Sequence, residues 1–214
     1  MTKNSKPELS EEALAHLADY HETAEAMPAI YLLGRIAIEW NYCEHLIGTL
    51  SWHYVGGIER GLAVITNLGN KSRADLLLAL ARQFEKDKEV IARIEFAAGT
   101  FNKLREGRNV LVHSHSLQPN EDGSLDWRRA STNPLNPHSS ITTTVESMQQ
   151  LLDTMAYLNR FCLELMLRHV MRQKRKPKGL WPPLPDIFPL PDTLPRSHPP
   201  APKAKKRQRS SPGT

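Results

Sequence analysis

The chain of 214 residues has few cysteines, no long apolar run, no internal repeat and no metal-ligand cluster. Its two cysteines, Cys43 and Cys162, both fall inside apolar helical patterns. That placement reads as reduced core thiols rather than a disulfide framework. No stretch reaches the ~18 uninterrupted apolar residues that a spanning helix needs. The opening Met1-Thr2-Lys3-Asn4-Ser5-Lys6-Pro7 lacks the apolar core of a secretion signal, so the expected compartment is the cytoplasm. No repeat of solenoid period is present. His113 and His115 form a His-x-His pair, but no cysteine or acidic cluster completes a zinc set, so neither metal nor cofactor is expected. Ser114 and Ser116 have no Ser-His-Asp arrangement to make them nucleophiles.

Basic charge is also lacking where a fold is expected. The 28 lysines and arginines outnumber the 23 acidic residues, yet 11 of the 28 lie in residues 172–214 against two aspartates. The first 171 residues therefore carry 17 basic and 21 acidic side chains. A body with this balance has no broad electrostatic footprint for nucleic acid.

The same stretch from 172 on holds 11 of the 16 prolines. Proline removes backbone donors and opposes both helix and strand. Residues 173–214 are therefore expected as a disordered, Pro-rich, basic tail. Trp181 to Pro191 also reads as an extended strap burying Trp181 and Phe188, or as a polyproline-type docking peptide. Lys203, Lys205, Lys206, Arg207 and Arg209 form a basic cluster suited to RNA, DNA or an acidic protein, or simply to solvent.

What is abundant is helical periodicity. Residues 8–25 predict a polar N-terminal helix within an extension over 1–27, capped at Ser10 with Glu11 and Glu12 in its first turn. Residues 28–55 predict a stronger helix, with Leu33, Ile36, Trp40, Cys43, Ile47, Leu50 and Tyr54 as one buried stripe. Pro28 suits its start, and Gly56-Gly57 its end. Residues 59–84 predict helix broken at Asn67-Leu68-Gly69-Asn70, with Ser72 capping the second part. Residues 87–113 and Glu146–Arg172 predict two further long helices. Between them, residues 114–143 carry the turn Asn120-Glu121-Asp122-Gly123, which predicts a β-hairpin inserted before the last helix, with Ile141–Thr144 as a third short strand. The expected fold is an all-α antiparallel bundle over 28–172.

One charged residue interrupts this pattern. Val90, Ile94, Ala97, Phe101, Leu104, Arg108 and Leu111 share the seam of the fourth long helix. A guanidinium on an apolar seam needs an acid, an anionic ligand or an opening to water. At ~100° per residue, Arg105, Arg108, Asn109 and His113 fan over one side of this helix. His113 stands where the helix gives way to loop, and a helix C-terminus favours an imidazolium. Each residue also has a purely structural reading. Arg108 forms a buried bridge with Glu39 or Glu44, Asn109 a hydrogen bond to another helix or to the hairpin, His113 a C-terminal cap, and Arg105 a solvated surface charge.

Metal-free RNA cleavage needs a base for the 2′-hydroxyl, an acid for the departing 5′-oxygen and a cation for the phosphate. Histidine and arginine supply these. One chain offers one such histidine here, whereas a two-fold dimer offers two.

The run Arg108-Asn109-Val110-Leu111-Val112-His113 at the end of a long bundle helix resembles the Arg-x4-His signature of the HEPN superfamily. Those proteins are helical bundles, often dimers, and many are metal-independent endoribonucleases of toxin–antitoxin, antiphage and RNA-processing systems. The resemblance covers residues 28–172. It implies Arg108 and His113 as the catalytic pair, Asn109 as the polar residue beside the arginine, and Glu39 or Glu44 as the acid of an earlier helix; Arg105, on the same side of the helix, is a supporting candidate by position. Thr66 to Ser72 also resembles a segment of bacterial bundle proteins that end in an Arg-Asn-x-x-x-His motif. The expected partners are a second copy, RNA and an antitoxin or other protein, with no membrane. The other expectation is a non-catalytic bundle serving as a binding or assembly module.

Overall fold

The computed structural model describes residues 26–114, 116–130, 138–192 and 194–195. Helices α1 (Met27–Val55), α2 (Ile58–Ile65), α3 (Asn70–Phe84), α4 (Lys88–Val112) and α5 (Val145–Gln173) enclose one core. Strands β1 (Ser116–Pro119), β2 (Leu125–Ala130) and β3 (His138–Thr143) stand between α4 and α5. Among the described residues no helix is long and apolar enough to cross a membrane.

The predicted stripe of α1 is buried at Ile36, Trp40, Cys43, Ile47 and Leu50. Gly56 ends the helix in a left-handed conformation, φ +93°, with its amide on the Trp52 carbonyl. Only glycine enters that region without a Cβ penalty. α3 starts at Asn70 with Gly69 in the capping position, so Ser72 lies inside the helix rather than capping it. The Asp87 side chain accepts the Glu89 amide at the head of α4, and Thr144 and Ser147 close a reciprocal capping box at the head of α5.

Neighbouring helices are not all antiparallel, contrary to expectation. α4 opposes α5, as Phe96 meets Phe161 at 5.3 Å between ring centroids while Gly107 abuts Leu151 near the other end. α1 runs in the same direction as α5. The Cys43 thiol reaches the Met155 carbonyl and the Asn159 amide reaches Glu39, while His53 and Tyr54 meet His169 farther along both helices. The cause is α2. It folds back along α1, placing Ile65 against Gly48, so that α3 starts again beside the middle of α1.

The expected hairpin is a three-stranded antiparallel sheet of order β1-β2-β3. Leu117, Trp127 and Ile141 are paired across it as one row, and Trp127 and Leu125 are buried. The Trp127 indole donates to the Thr143 hydroxyl at 2.7 Å. Asn120 to Ser124 makes the predicted turn, with Gly123 at φ +78°.

The expectation of a disordered tail from residue 173 also needs correction. After a 3-10 turn at Lys178–Leu180 the chain lies on the bundle as an extended strap. The Arg168 guanidinium donates to the Pro182 carbonyl at 2.8 Å and stacks over Trp181. Phe188 joins Phe96, Tyr157 and Phe161, and Leu194 is buried in the core. The prolines exclude helix and strand as predicted, but the apolar residues between them have a groove to fill. The polar helix expected over 8–25 and the basic cluster of 203–209 lie outside the described residues.

Far from the sheet, α1, α5 and the α3–α4 link share a buried polar cluster. Glu85, with its side chain 1% exposed, accepts two hydrogen bonds of 2.8 Å from Arg172. It also accepts the Lys86 and Asp87 amides. Burial opposes ionisation of Glu85, but these donors outweigh it and hold the carboxyl below its ordinary value. Burial, reinforced by neighbouring His53, pushes the His169 imidazole down to about 4. Both cysteines are buried free thiols, and burial raises Cys162 to about 12.

His169 makes folding pH-dependent in a predictable direction. A histidine whose folded pKa is depressed takes up its proton on unfolding, so its contribution is complete above the unfolded value near 6.5. It is lost as the pH falls toward 4. Urea unfolding is expected to show a loss of about 1–2 kcal/mol between pH 7 and pH 5. His169→Gln is expected to remove most of that slope.

Candidate active site

The last two turns of α4 bring the predicted motif to the end of the bundle that carries the sheet. Leu104, Gly107, Val110 and Leu111 are buried and fix the rotation of the helix. Arg105, Arg108 and Asn109 are then half-buried and His113 is exposed.

Arg108 Nη1 lies 3.1 Å from Asn109 Oδ1, which accepts, and 3.5 Å from His113 Nε2. A guanidinium only donates. The guanidinium carbon also lies 5.9 Å from the centroid of the Trp40 ring, within cation–π range. Trp40 itself is fully buried and stacks on Phe101 at 4.6 Å and 17°.

The acids expected to answer Arg108 are engaged elsewhere. Glu39 accepts the Asn159 side-chain amide at 2.8 Å and so ties α1 to α5. Glu44 accepts the Trp40 indole N–H, accepts Asn70 at 2.5 Å, and lies 3.9 Å from Arg73 Nη1. Glu44 therefore ties α1 to the head of α3. The structural reading of Arg108 as a buried bridge to Glu39 or Glu44 is corrected accordingly: among the described residues Arg108 has no ion pair. The cause is rotational. Both glutamates start on faces of α1 that meet other helices first. Among the described residues Arg108 Nε and Arg105 Nε are buried without a hydrogen-bond partner, so Arg105 is not the freely solvated charge of its structural reading.

The capping role considered for His113 is filled by its neighbour. The Ser114 hydroxyl donates to the Val110 carbonyl at 2.6 Å, and the Ser114 amide to Leu111 at 3.3 Å. The His113 amide takes the Asn109 carbonyl at 3.3 Å. With the last carbonyls satisfied by these groups, the imidazole is left to face Arg108. Asn109 turns to Arg108 as well and makes no interhelical bond of the kind its structural reading requires.

Sequence reasoning missed three members of this arrangement. Trp40 was legible only as a core residue. Asn70 and Arg73 were legible only through the Thr66–Ser72 segment, and nothing in that segment said which residue they meet. Among the described residues no group of three or more His, Cys, Asp or Glu side chains is placed to hold a metal ion.

No protein-family model matches this chain, nor does any curated protein or solved structure.

The two charged residues at this end are expected to differ sharply in their structural weight. Glu44→Leu leaves the buried Trp40 indole and Asn70 without an acceptor, with an expected loss of about 2–3 kcal/mol. Arg108→Ala removes no ion pair, and its expected cost is about 1 kcal/mol or less. Urea unfolding of both variants measures the contrast. An Arg108→Ala loss of about 3–5 kcal/mol, the signature of a broken buried pair, would overturn this reading.

Proposed function

We propose that this chain is a HEPN-like, metal-independent endoribonuclease that acts on RNA as a homodimer. The observation that carries the proposal is the Arg108–His113 contact. Among the described residues this arginine on an apolar seam has no ion pair, and one of its Nη atoms lies 3.5 Å from Nε2 of an exposed histidine.

In this reading His113 Nε2 takes the proton of a ribose 2′-hydroxyl. The 2′-oxygen attacks the adjacent phosphorus, and the P–O5′ bond breaks. The products are a 2′,3′-cyclic phosphate and a 5′-hydroxyl. The Arg108 guanidinium donates to the phosphate oxygens on which charge accumulates. The departing 5′-oxygen needs a proton from an acid that is not the same imidazole in its basic form. A second copy, turned about a two-fold axis, brings a second His113 in the acid form and a second Arg108. Asn109 holds the guanidinium before substrate arrives. Glu44 acts at one remove, by holding Trp40 beneath it.

The direct test is incubation of the purified full-length protein with single-stranded RNA in excess EDTA. The expected result is cleavage leaving cyclic-phosphate ends. His113→Ala and Arg108→Ala are each expected to lower the rate by at least about 100-fold while the circular dichroism spectrum is retained. Light scattering is expected to report twice the monomer mass. A folded wild-type protein that leaves RNA intact, or a His113→Ala variant that cuts at the wild-type rate, would reject the enzymatic reading and leave the bundle as a binding module.

A further inference from the structure

The groove between α1, α3 and α4 holds more positive charge than its packing uses. α3 and α4 run antiparallel through their short link, and Arg82 pairs with Glu95 across them at 2.7 Å. Equal steps from that pair, at about 1.5 Å per residue, bring Arg73 level with Leu104 and Asn70 level with Gly107. Arg105 therefore stands opposite the head of α3 to within about one turn. At ~100° per residue it is turned roughly 40° from Phe101, which stacks on Trp40 of α1, and roughly 80° from Glu95, which meets α3. It points into the angle between these two helices, where Glu44 holds Asn70 and lies beside Arg73. Arg108, less than one turn farther along α4, lies over the Trp40 ring at 5.9 Å.

Three guanidiniums thus gather around one carboxylate that is already committed. Glu44 accepts the Trp40 indole N–H and the Asn70 amide. Arg73 gives its Nε to the Leu68 carbonyl at 2.9 Å, but its Nη1 lies 3.9 Å from Glu44, beyond hydrogen-bond range. The Arg73 side chain is 22% exposed. Arg105 has no ion pair among the described residues, and its Nε is buried there without a hydrogen-bond partner. Like charges brought together repel, and an anion seated among them relieves that cost. The first 171 residues carry more acidic than basic side chains, so the surplus is local to this groove. A chain of contacts, from Arg108 to Trp40 to Glu44 to Arg73, spaces the guanidiniums along it.

We propose that Arg73 and Arg105 form a second phosphate subsite, which holds the phosphodiester next to the one at Arg108 and His113 and so selects an oligonucleotide of at least two phosphates. This rests on the reading of Arg108 and His113 as a phosphate site. The planar fork of each guanidinium matches two phosphate oxygens, so the subsite reads the backbone and not the bases.

The test uses the full chain and two ligands, UpU and UpUpU, both 2′-O-methylated so that binding is read whether or not the protein cleaves RNA. UpU carries one phosphate and UpUpU two. Calorimetric titration of the wild type at low salt is expected to show UpUpU binding about ten-fold more tightly. Arg105→Gln and Arg73→Ala are each expected to remove most of that gain. Each is also expected to lower the log–log salt slope for UpUpU by about 0.7, the value of one phosphate on a single strand. Arg73→Lys keeps the charge and is expected to keep the slope. Melting curves check the fold, and if loss of the Leu68 bond unfolds Arg73→Ala, Arg105→Gln decides alone. Equal affinity of the wild type for UpU and UpUpU would overturn the subsite. So would variants that weaken both ligands by the same factor, since that is the mark of a structural role. Displacement of UpUpU by an equally charged glutamate peptide at the same concentration would also overturn it, by assigning the groove to an acidic protein. If the second phosphate brings the expected gain but unmethylated RNA is never cut, the subsite stands and the catalytic reading falls.

Discussion

The Trp40 ring is the contact on which both the packing and the candidate site depend. One side of its role is apolar: it is fully buried and stacks on Phe101, locking α1 to α4. The other is polar. Its indole N–H is answered by Glu44, which also holds Asn70 and Arg73 at the head of α3. A buried indole N–H left unpaired is costly, so the acid is committed to it and unavailable to the guanidinium above the ring. Arg108 is consequently held by weaker contacts, a ring, an amide oxygen and an imidazole, in place of a carboxylate.

The two ends of the bundle manage charge in opposite ways. At the end where α5 finishes, the buried Glu85 carboxylate accepts four hydrogen bonds from Arg172 and the Lys86 and Asp87 amides, and burial keeps His169 neutral. That arrangement fixes packing. At the sheet end, guanidinium Nε atoms of Arg105 and Arg108 are buried without partners among the described residues, and the imidazole is exposed.

Much of this is legible in the sequence. The apolar stripes of α1, α4 and α5 follow from three-four spacing, because burial on one face dictates which positions can be apolar. The break at Asn67–Gly69, the glycine stop of α1 and the turn at Asn120–Gly123 follow from backbone preferences of single residues. The anomaly of Arg108 was legible as well, since a charge on an apolar seam is visible in one dimension. What answers it was not. Glu39 and Glu44 are both within reach by sequence, and only the rotation of α1 against three neighbours sends one to Asn159 and the other to Asn70. Ser114 looked like a failed nucleophile and proved to be the cap that frees His113.

By itself the sequence determined the helical architecture, the inserted strands, the exclusion of regular structure from the proline-rich segment and the identity of the residue most in need of an explanation. These are local properties, set by periodicity and by the dihedral preferences of glycine and proline. Tertiary structure decided the direction of α1 relative to its neighbours, the partners of the two glutamates and the path of the strap back to the Arg108 end of α4. Each of these depends on how separate elements compete for the same surface or the same donor. A groove between α4 and α5 turns a segment that reads as disordered into a packed one, because Phe188 and Leu194 gain there an apolar contact that offsets the cost of ordering the chain.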